Sequence, residues 1–513
     1  MPEFSSFIPQ DRRRALAEGR SLDGETTGTA LLADISGFTP LSEEYSQEFG
    51  AHRGAEEVTL RLNTFFDLMV QTINTHEGTV ISFSGDALTC WFDEDEGFRA
   101  LTCALEIQKT FQQFPKLKTP GGREFELGVK IALANGPARR FLVGEPDIQV
   151  MDLMAGDVFQ RMARIEQRLE KGEVGTDQQV AAILPELVTE WPIRRTDAGE
   201  FLVVFPPGTD LDLGVEPRGE ANLPEVPHDL ARPWLLGPVF DRIGAGQNSF
   251  LADLRIAVVF FLGMESPDFD RHPSAVGTFQ KLIAFLQKTL AGYEGNLLQV
   301  IVGDKGTYLY GAFGAPVAHE NEAGLALHAL LAIRDQASQA GLRKFRIGVS
   351  QGQIYAGAYG GVTRKTYGVL GNEVNIAARI MQAAPENGIL VSPAVYRSSS
   401  HQFRFEAVGS KTLKGLAFPM ELQKLKEALP KGEVQAPRDR TRWPLVGRDA
   451  EMARVEAHLD RLTQGQGGVL LVEGEAGIGK SRFIDEVEYR CRVKGATVFR
   501  SGADYIESNT PYF

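Results

Sequence analysis

The sequence predicts an α+β protein built from two copies of one domain, followed by an α/β nucleotide-binding unit. Three observations carry this. An order of strand, amphipathic helix, hairpin, helix and strand runs from Thr29 to Phe205 and returns from Arg255 onward. Two stretches without hydrophobic periodicity, one of them crowded with proline, separate the pieces. A complete G-x-x-x-x-G-K-S stands after an apolar run near the end of the chain.

At 513 residues the chain is too long for one core. We divide it into a polar lead-in (1–27), a first repeat (28–205), a Pro-rich linker (206–250), a second repeat (251–427), a short linker (428–443) and a third unit (444–513). In the first repeat, Thr29 to Ala33 reads as a buried strand ending on Asp34. Val58, Leu62, Phe65, Phe66, Met69 and Ile73 then recur at helical spacing. Ile81 to Phe92 reads as a hairpin broken at Gly85-Asp86. A helix over Glu96 to Phe114 precedes two strands, Phe125 to Ala134 and Arg139 to Val143. A helix over Gly156 to Leu169 and a strand over Phe201 to Phe205 close the unit. The order suits an antiparallel sheet covered by helices. In the second repeat, Arg346-Ile347-Gly348 echoes Lys130-Ile131-Ala132, and Gly371-Asn372 echoes Gly156-Asp157. In the third unit a strand over Val469 to Val472 leads into the Gly-rich loop.

Composition narrows the function. The chain is 43% hydrophobic and 24% charged, as expected of a soluble globular protein, and its apolar runs fall short of the ~18 residues of a membrane helix. A net charge of −13 disfavours nucleic acid as a partner. The three cysteines, in no ligand spacing, and the absence of a secretion signal point to the cytoplasm.

The candidate chemistry is concentrated in a few residues. Asp34 ends a strand and is followed by the small-residue turn Ser36-Gly37, so its carboxylate and the next backbone N–H groups suit a metal and a phosphate. Asp86, at a hairpin tip, would lie beside it. Either aspartate alone is an ordinary strand-end or turn residue, but two at neighbouring strand ends suit two divalent ions. The copies diverge in a complementary way. The second has apolar Val259 to Leu262 where the first ends on Asp34. The first has Gln160 where the second has Asn375, four residues before Arg379 on one helix face. In the third unit, Gly474, Gly477 and Gly479 free backbone N–H groups to wrap a β-phosphate, Lys480 reaches the terminal phosphates, and Ser481 meets Mg²⁺.

Ala33-Asp34-Ile35-Ser36-Gly37-Phe38-Thr39, Phe83-Ser84-Gly85-Asp86-Ala87-Leu88 and Gly371-Asn372-Glu373-Val374-Asn375-Ile376-Ala377-Ala378-Arg379 together resemble the signatures of class III nucleotidyl cyclases. The tandem arrangement before a P-loop ATPase is similar to the soluble, bicarbonate-responsive adenylyl cyclases. The resemblance implies two ferredoxin-like cyclase domains paired head to tail as an intramolecular heterodimer, followed by the start of an α/β P-loop domain. It implies ATP as substrate, cyclic AMP and pyrophosphate as products, and two Mg²⁺ or Mn²⁺ ions. By that resemblance Asp34, Asp86 and the carbonyl of Ile35 hold the ions, and the backbone of Gly37 and Phe38 receives the terminal phosphates. Asn375 orients the ribose and Arg379 neutralises the α-phosphate. Lys414 matches a triphosphate-binding lysine, and Lys305 matches an adenine-reading one. Gly368 stands where the family places the Asp or Thr that completes base recognition, leaving ATP favoured over GTP by Lys305 alone. Ser82 replaces a lysine of the mammalian-type enzymes, so the resemblance leaves open whether the degenerate site near Arg161 and Arg164 takes bicarbonate or another small regulator.

Two other readings compete with an active adenylyl cyclase: a nucleotide-binding pair without turnover that regulates a signalling ATPase, and a protein whose main activity lies in the P-loop unit. Because only about seventy residues of that unit are present, too few for the whole fold, we expect it to be incomplete and inactive in ATP hydrolysis.

Overall fold

A computed structural model describes residues 4–113, 117–118, 121–183, 193–195, 201–209, 223–246, 253–272, 274–303, 306–319, 321–413, 418–430, 445–473 and 480–499. Residues Met1–Val434 form one compact unit and Gln435–Phe513 a second.

The first repeat runs β1 (Gly24–Ser36), α1 (Phe38–Thr75), β2 (Thr79–Ser84), β3 (Ala87–Asp93), α2 (Phe98–Gln113), β4 (Gly128–Glu145), β5 (Gln149–Ala155), α3 (Asp157–Glu166), β6 (Val174–Asp177), β7 (Ile193–Arg195) and β8 (Phe201–Phe205). The sheet order is β2-β3-β1-β4-β6-β8-β7, with β5 paired to β4. The second repeat comprises β9 (Asp253–Met264), α4 (Ser274–Ala291), β10 (Gly295–Gly303), β11 (Gly306–Phe313), α5 (Glu322–Gln336), β12 (Phe345–Gly360), β13 (Lys365–Leu370), α6 (Asn372–Ala383), β14 (Gly388–Val391), β15 (Phe403–Lys411) and β16 (Met420–Ala428). Its sheet order, β10-β11-β9-β12-β14-β16-β15 with β13 on β12, repeats the first strand for strand.

Each sheet buries one face under two long helices. Phe65, Phe66, Met69 and Ile73 of α1 meet Leu101, Ala104 and Ile107 of α2 over Leu31, Ala33 and Leu133. Phe279, Leu282 and Leu286 of α4 and Leu327, Leu330 and Ile333 of α5 do the same over Val258, Phe260 and Ile347. The opposite face carries α3 in the first repeat, through Val158, Met162 and Ile165. In the second repeat α6 takes that place, through Ile376 and Ile380.

The repeats are paired by reciprocal arms. The far half of β12 and the turn after it rest on the first repeat. Gly360 N–H donates to Asn63 Oδ1 at 3.0 Å and Val362 N–H to Asp67 Oδ1 at 2.7 Å. Arg364 donates to the carbonyls of Val80 and Ile81, each at 3.1 Å. Conversely, the far half of β4 rests on α4: Gly144 N–H donates to Gln280 Oε1 at 2.7 Å and Glu145 N–H to Gln287 Oε1 at 2.8 Å. Each copy therefore lends a strand arm to the other's long helix, a head-to-tail exchange.

The lead-in and the Pro-rich linker also join this unit. Phe4 and Ile8 pack with Val226, Trp234, Leu236 and Phe240 against Val259, Ile354 and Val369 of the second repeat. Polar side chains of the lead-in are buried because each finds a distant partner. Gln10 Nε2 donates to Asn74 Oδ1 at 2.8 Å, Gln10 Oε1 accepts from Val80 N–H at 3.1 Å, and Arg12 and Arg140 clasp the buried Asp152.

Several sequence expectations change. The strands placed at Phe125–Ala134 and Arg139–Val143 are one strand, β4. Asn135-Gly136-Pro137 reads as a turn, yet β1 pairs with β4 without interruption from Gly24↔Arg140 to Ser36↔Gly128. The helix expected around Val58–Ile73 is longer, beginning at Phe38, directly after the Asp34 strand. In the third unit, residues 469–472 form no strand; Val469 is 92% exposed, and no strand exists for it to pair with among the described residues there. What does form is a helix Asp449–Thr463 packed on a helix Lys480–Val493 through Met452, Val455, Leu459 and Phe483.

Candidate active site

The arrangement of β1 beside β3 creates the site. Asp34 lies opposite Ala87 on β3 and opposite Lys130 on β4. Ile35 N–H donates to the carbonyl of Asp86 at 3.2 Å, fastening the hairpin tip to the strand end. The two aspartates are thereby brought together, as the sequence implied.

Their environment is short of positive charge. Burial, and next the charge of Asp34, push the Asp86 carboxyl up to about 6. Asp34 is also raised, by burial first and then by Glu166, against the pull of Lys130. Lys130 Nζ stands 3.6 Å from Asp34 Oδ2 and makes a closer ion pair with Glu166. Burial opposes the Lys130 charge, but Glu166 and then Asp34 outweigh it and raise its pKa. Lys130 and Glu166 escaped the sequence reading. Lys130 is visible only as a repeat echo, and Glu166 only once α3 is laid over the sheet.

The donor set fits a hard divalent cation. It offers two carboxylates under mutual repulsion and the backbone of Ile35 between them. Ser36 Oγ next to them is buried with no hydrogen-bond partner. Among the described residues no group of three or more His, Cys, Asp and Glu side chains forms a preassembled cage. Two carboxylates and open positions are what a metal shared with a phosphate ligand requires.

Gly37 links strand to helix with φ 93°, a left-handed conformation that a side chain resists, and a Cβ there would stand 3.2 Å from the carbonyl of Glu126. No side-chain hydrogen bond caps the helix at Gly37, and a helix start of this kind suits an anion.

Asn375 and Arg379 lie on α6, which buries Ile376, Ala377, Ile380 and Met381 against the second sheet and leaves Asn375 exposed and Arg379 half-buried. They share a helix face, four residues apart. Gly368 on β13 is buried. A Cβ built on it would come 3.0 Å from both Tyr310 Oη and Tyr359 Cε1, so the tyrosine pair fills the space a base-reading side chain would need. Lys305, Lys414, Gly474, Gly477 and Gly479 lie outside the described residues, as do the side chains of Phe38 and Ser481. Lys480 begins its helix.

The second repeat's counterpart of the metal position is built differently. Gly263 occupies the register place of Asp34, opposite Arg346 as Asp34 is opposite Lys130. A Cβ on Gly263 would meet Met381 Sδ at 2.5 Å. The sequence comparison had set the apolar Val259–Leu262 at that point; the register moves it to Gly263, under a thioether. At the first repeat's equivalent of the Asn375 helix, Arg161 is held by Asp157 and Asp177.

Residues 278–427 match the family model of the Adenylate and Guanylate cyclase catalytic domain. Within the second repeat, these residues thus carry the sequence signature of a cyclase catalytic domain. Residues 444–513 match the AAA ATPase domain. Over 506 residues the chain is 27% identical to adenylate cyclase type 10 of Oryctolagus cuniculus, a match covering 90% of this chain and 30% of that protein. The human adenylate cyclase type 10 is 25% identical, covering 95% and 32% respectively. The chain thus spans about a third of the length of these relatives. Among solved structures, a class III adenylyl cyclase-like ATP-binding protein from Pseudomonas aeruginosa aligns with a TM-score of 0.49 and 14% identity, over 73% of this chain and 85% of that one. No helix among the described residues is long and apolar enough to cross a membrane.

Proposed function

We propose that the paired cyclase repeats convert ATP to cyclic AMP and pyrophosphate at one composite site, with the first repeat holding the metal and the second supplying Asn375 and Arg379. The observation that carries this reading is the complementary divergence. Asp34 and Asp86 converge in the first copy, where the second has Gly263 under Met381 at the register place of Asp34, while the second pairs Asn375 with Arg379 where the first has Gln160 and Arg164.

In the reaction the ribose 3′-oxygen attacks the α-phosphorus, the bond to the pyrophosphate oxygen breaks, and the hydroxyl proton is lost to water. Asp34, Asp86 and the Ile35 carbonyl would hold two divalent cations, which lower the pKa of the hydroxyl and offset phosphate charge when bound. The uncapped N–H groups after Gly37 take the terminal phosphates. Asn375 orients the ribose so that the hydroxyl faces phosphorus. Arg379 neutralises the charge that grows on the α-phosphoryl oxygens. Lys414 is assigned to the triphosphate and Lys305 to the adenine. With Gly368 unable to offer a side chain, base choice rests on Lys305, and the adenylate cyclase relatives favour ATP over GTP. We assign nucleotide binding to Gly474, Gly477, Gly479, Lys480 and Ser481.

The test is an assay of the purified chain with Mg²⁺ or Mn²⁺ and ATP or GTP. Cyclic AMP is expected; no cyclic product from either nucleotide would leave the second reading, a nucleotide sensor without turnover, which the filled space at Gly368 favours.

A further inference from the structure

We propose that Glu166 is a positioning residue for the cation site: it holds the Lys130 ammonium off Asp34 and so keeps that carboxylate available to a divalent ion. This rests on the reading of Asp34 and Asp86 as cation ligands. Lys130 lies directly across the ladder from Asp34 and would by itself close onto it as an ordinary ion pair. Instead its ammonium sits 3.6 Å from Asp34 and makes its closer contact with Glu166, the last residue of α3, the helix that covers the sheet face to which Asp34 and Lys130 belong. A charge-assisted contact at that distance from Asp34 is weak, whereas the pair with Glu166 is tight.

The second repeat serves as an internal control. Helices α3 and α6 start alike, each from a glycine with φ near 140° (144° at Gly156, 138° at Gly371). Counting from those starts, Glu166 corresponds to Met381, so the trio Asp34, Lys130 and Glu166 corresponds to Gly263, Arg346 and Met381. The copy without the strand aspartate lacks the helix glutamate as well, while the basic residue between them persists and is exposed. Glutamate thus accompanies the strand aspartate and not the basic residue. That is the pattern expected if its task is to manage the cation across from a metal ligand.

The experiment measures Mn²⁺ binding to the nucleotide-free full chain by electron paramagnetic resonance, in the native protein and in Glu166→Gln, Lys130→Met, the double variant and Asp34→Ala. Glu166→Gln should weaken Mn²⁺ binding about tenfold or more, the scale of groups that orient metal ligands. Lys130→Met should strengthen it, and adding Glu166→Gln to Lys130→Met should change nothing further. Glu166→Asp, with its carboxylate kept, should recover part of the loss. If Glu166→Gln binds like the native chain, or weakens binding equally with and without Lys130, the proposal is wrong. If the native chain binds no Mn²⁺, or binding survives Asp34→Ala, the assignment of the cation site itself fails instead.

Discussion

If Arg379 and Asp34 carry opposite halves of the chemistry, as we propose, their substitution should separate in kinetics. Arg379→Ala should lower kcat by about 10²–10³-fold with little change in KM, because its charge is needed mainly as the transition state forms. Asp34→Ala should bring turnover to background, with Mn²⁺ binding lost as well. Gln160→Ala, on the corresponding helix of the first copy, should leave steady-state rates near native. A residue-level prediction of a different kind concerns Gly368. Restoring a family-like side chain with Gly368→Thr should not sharpen base choice, since its Cβ would crowd Tyr310 Oη and Tyr359 at 3.0 Å. It should cost about 1–3 kcal/mol in urea unfolding, as overpacking does, and Tyr310→Phe should relieve part of that cost. A gain in ATP selectivity without loss of stability would show that the space is not filled as described. Asp34, Asp86, Asn375 and Arg379 can be proposed from the sequence because each belongs to a local signature. Lys130 and Glu166 cannot, because only the β1–β4 register and the seat of α3 on the sheet bring them to Asp34.

At the level of elements, the arms and the lead-in decide how the repeats are held. Burial works against the Asp152 carboxylate, yet Arg140 and Arg12 overcome it and hold its pKa below the usual carboxylate range. A group depressed in the folded state stabilises above its unfolded value of about 4. That contribution is lost as pH falls through the lower folded value. Asp152→Asn should therefore cost about 3–5 kcal/mol near neutral pH, and should flatten the acid limb of a stability–pH profile below about pH 4. An unchanged acid limb would mean that the Arg12–Asp152–Arg140 cluster does not govern acid unfolding. Such a cluster could not be read from the chain, where Arg12-Arg13-Arg14 belongs to a polar lead-in and Asp152 lies in a stretch with no predicted element. Elements whose partners are adjacent, such as the β2–β3 hairpin and α2, were read nearly to their ends. Where pairing partners lie far away, local signals misled. Asn135-Gly136-Pro137 reads as a turn and is overridden by the unbroken ladder with β1, while Val469–Val472 reads as a strand and has no neighbour to make it one.

For the whole molecule, the repeat read from the sequence predicts two similar folds, and the strand orders bear that out to the last strand. What it could not give is the way they join. The reciprocal seating of the β12 arm on α1 and the β4 arm on α4 emerges only from hydrogen bonds between residues far apart in the chain. Burial of Phe4 and Ile8 with the linker's Trp234 and Phe240 then ties both copies into one unit. In the proposed function, one catalytic site is completed within a single chain by residues from both copies. The most direct measurement is the cyclase activity of a mixture of two full-length variants, Asp34→Ala and Arg379→Ala, each near background alone. An intramolecular site predicts that the mixture stays at background at every protein concentration, because no chain in it holds an intact pair. Activity that returns on mixing and rises with concentration would show that the site is assembled between chains, and would contradict the account.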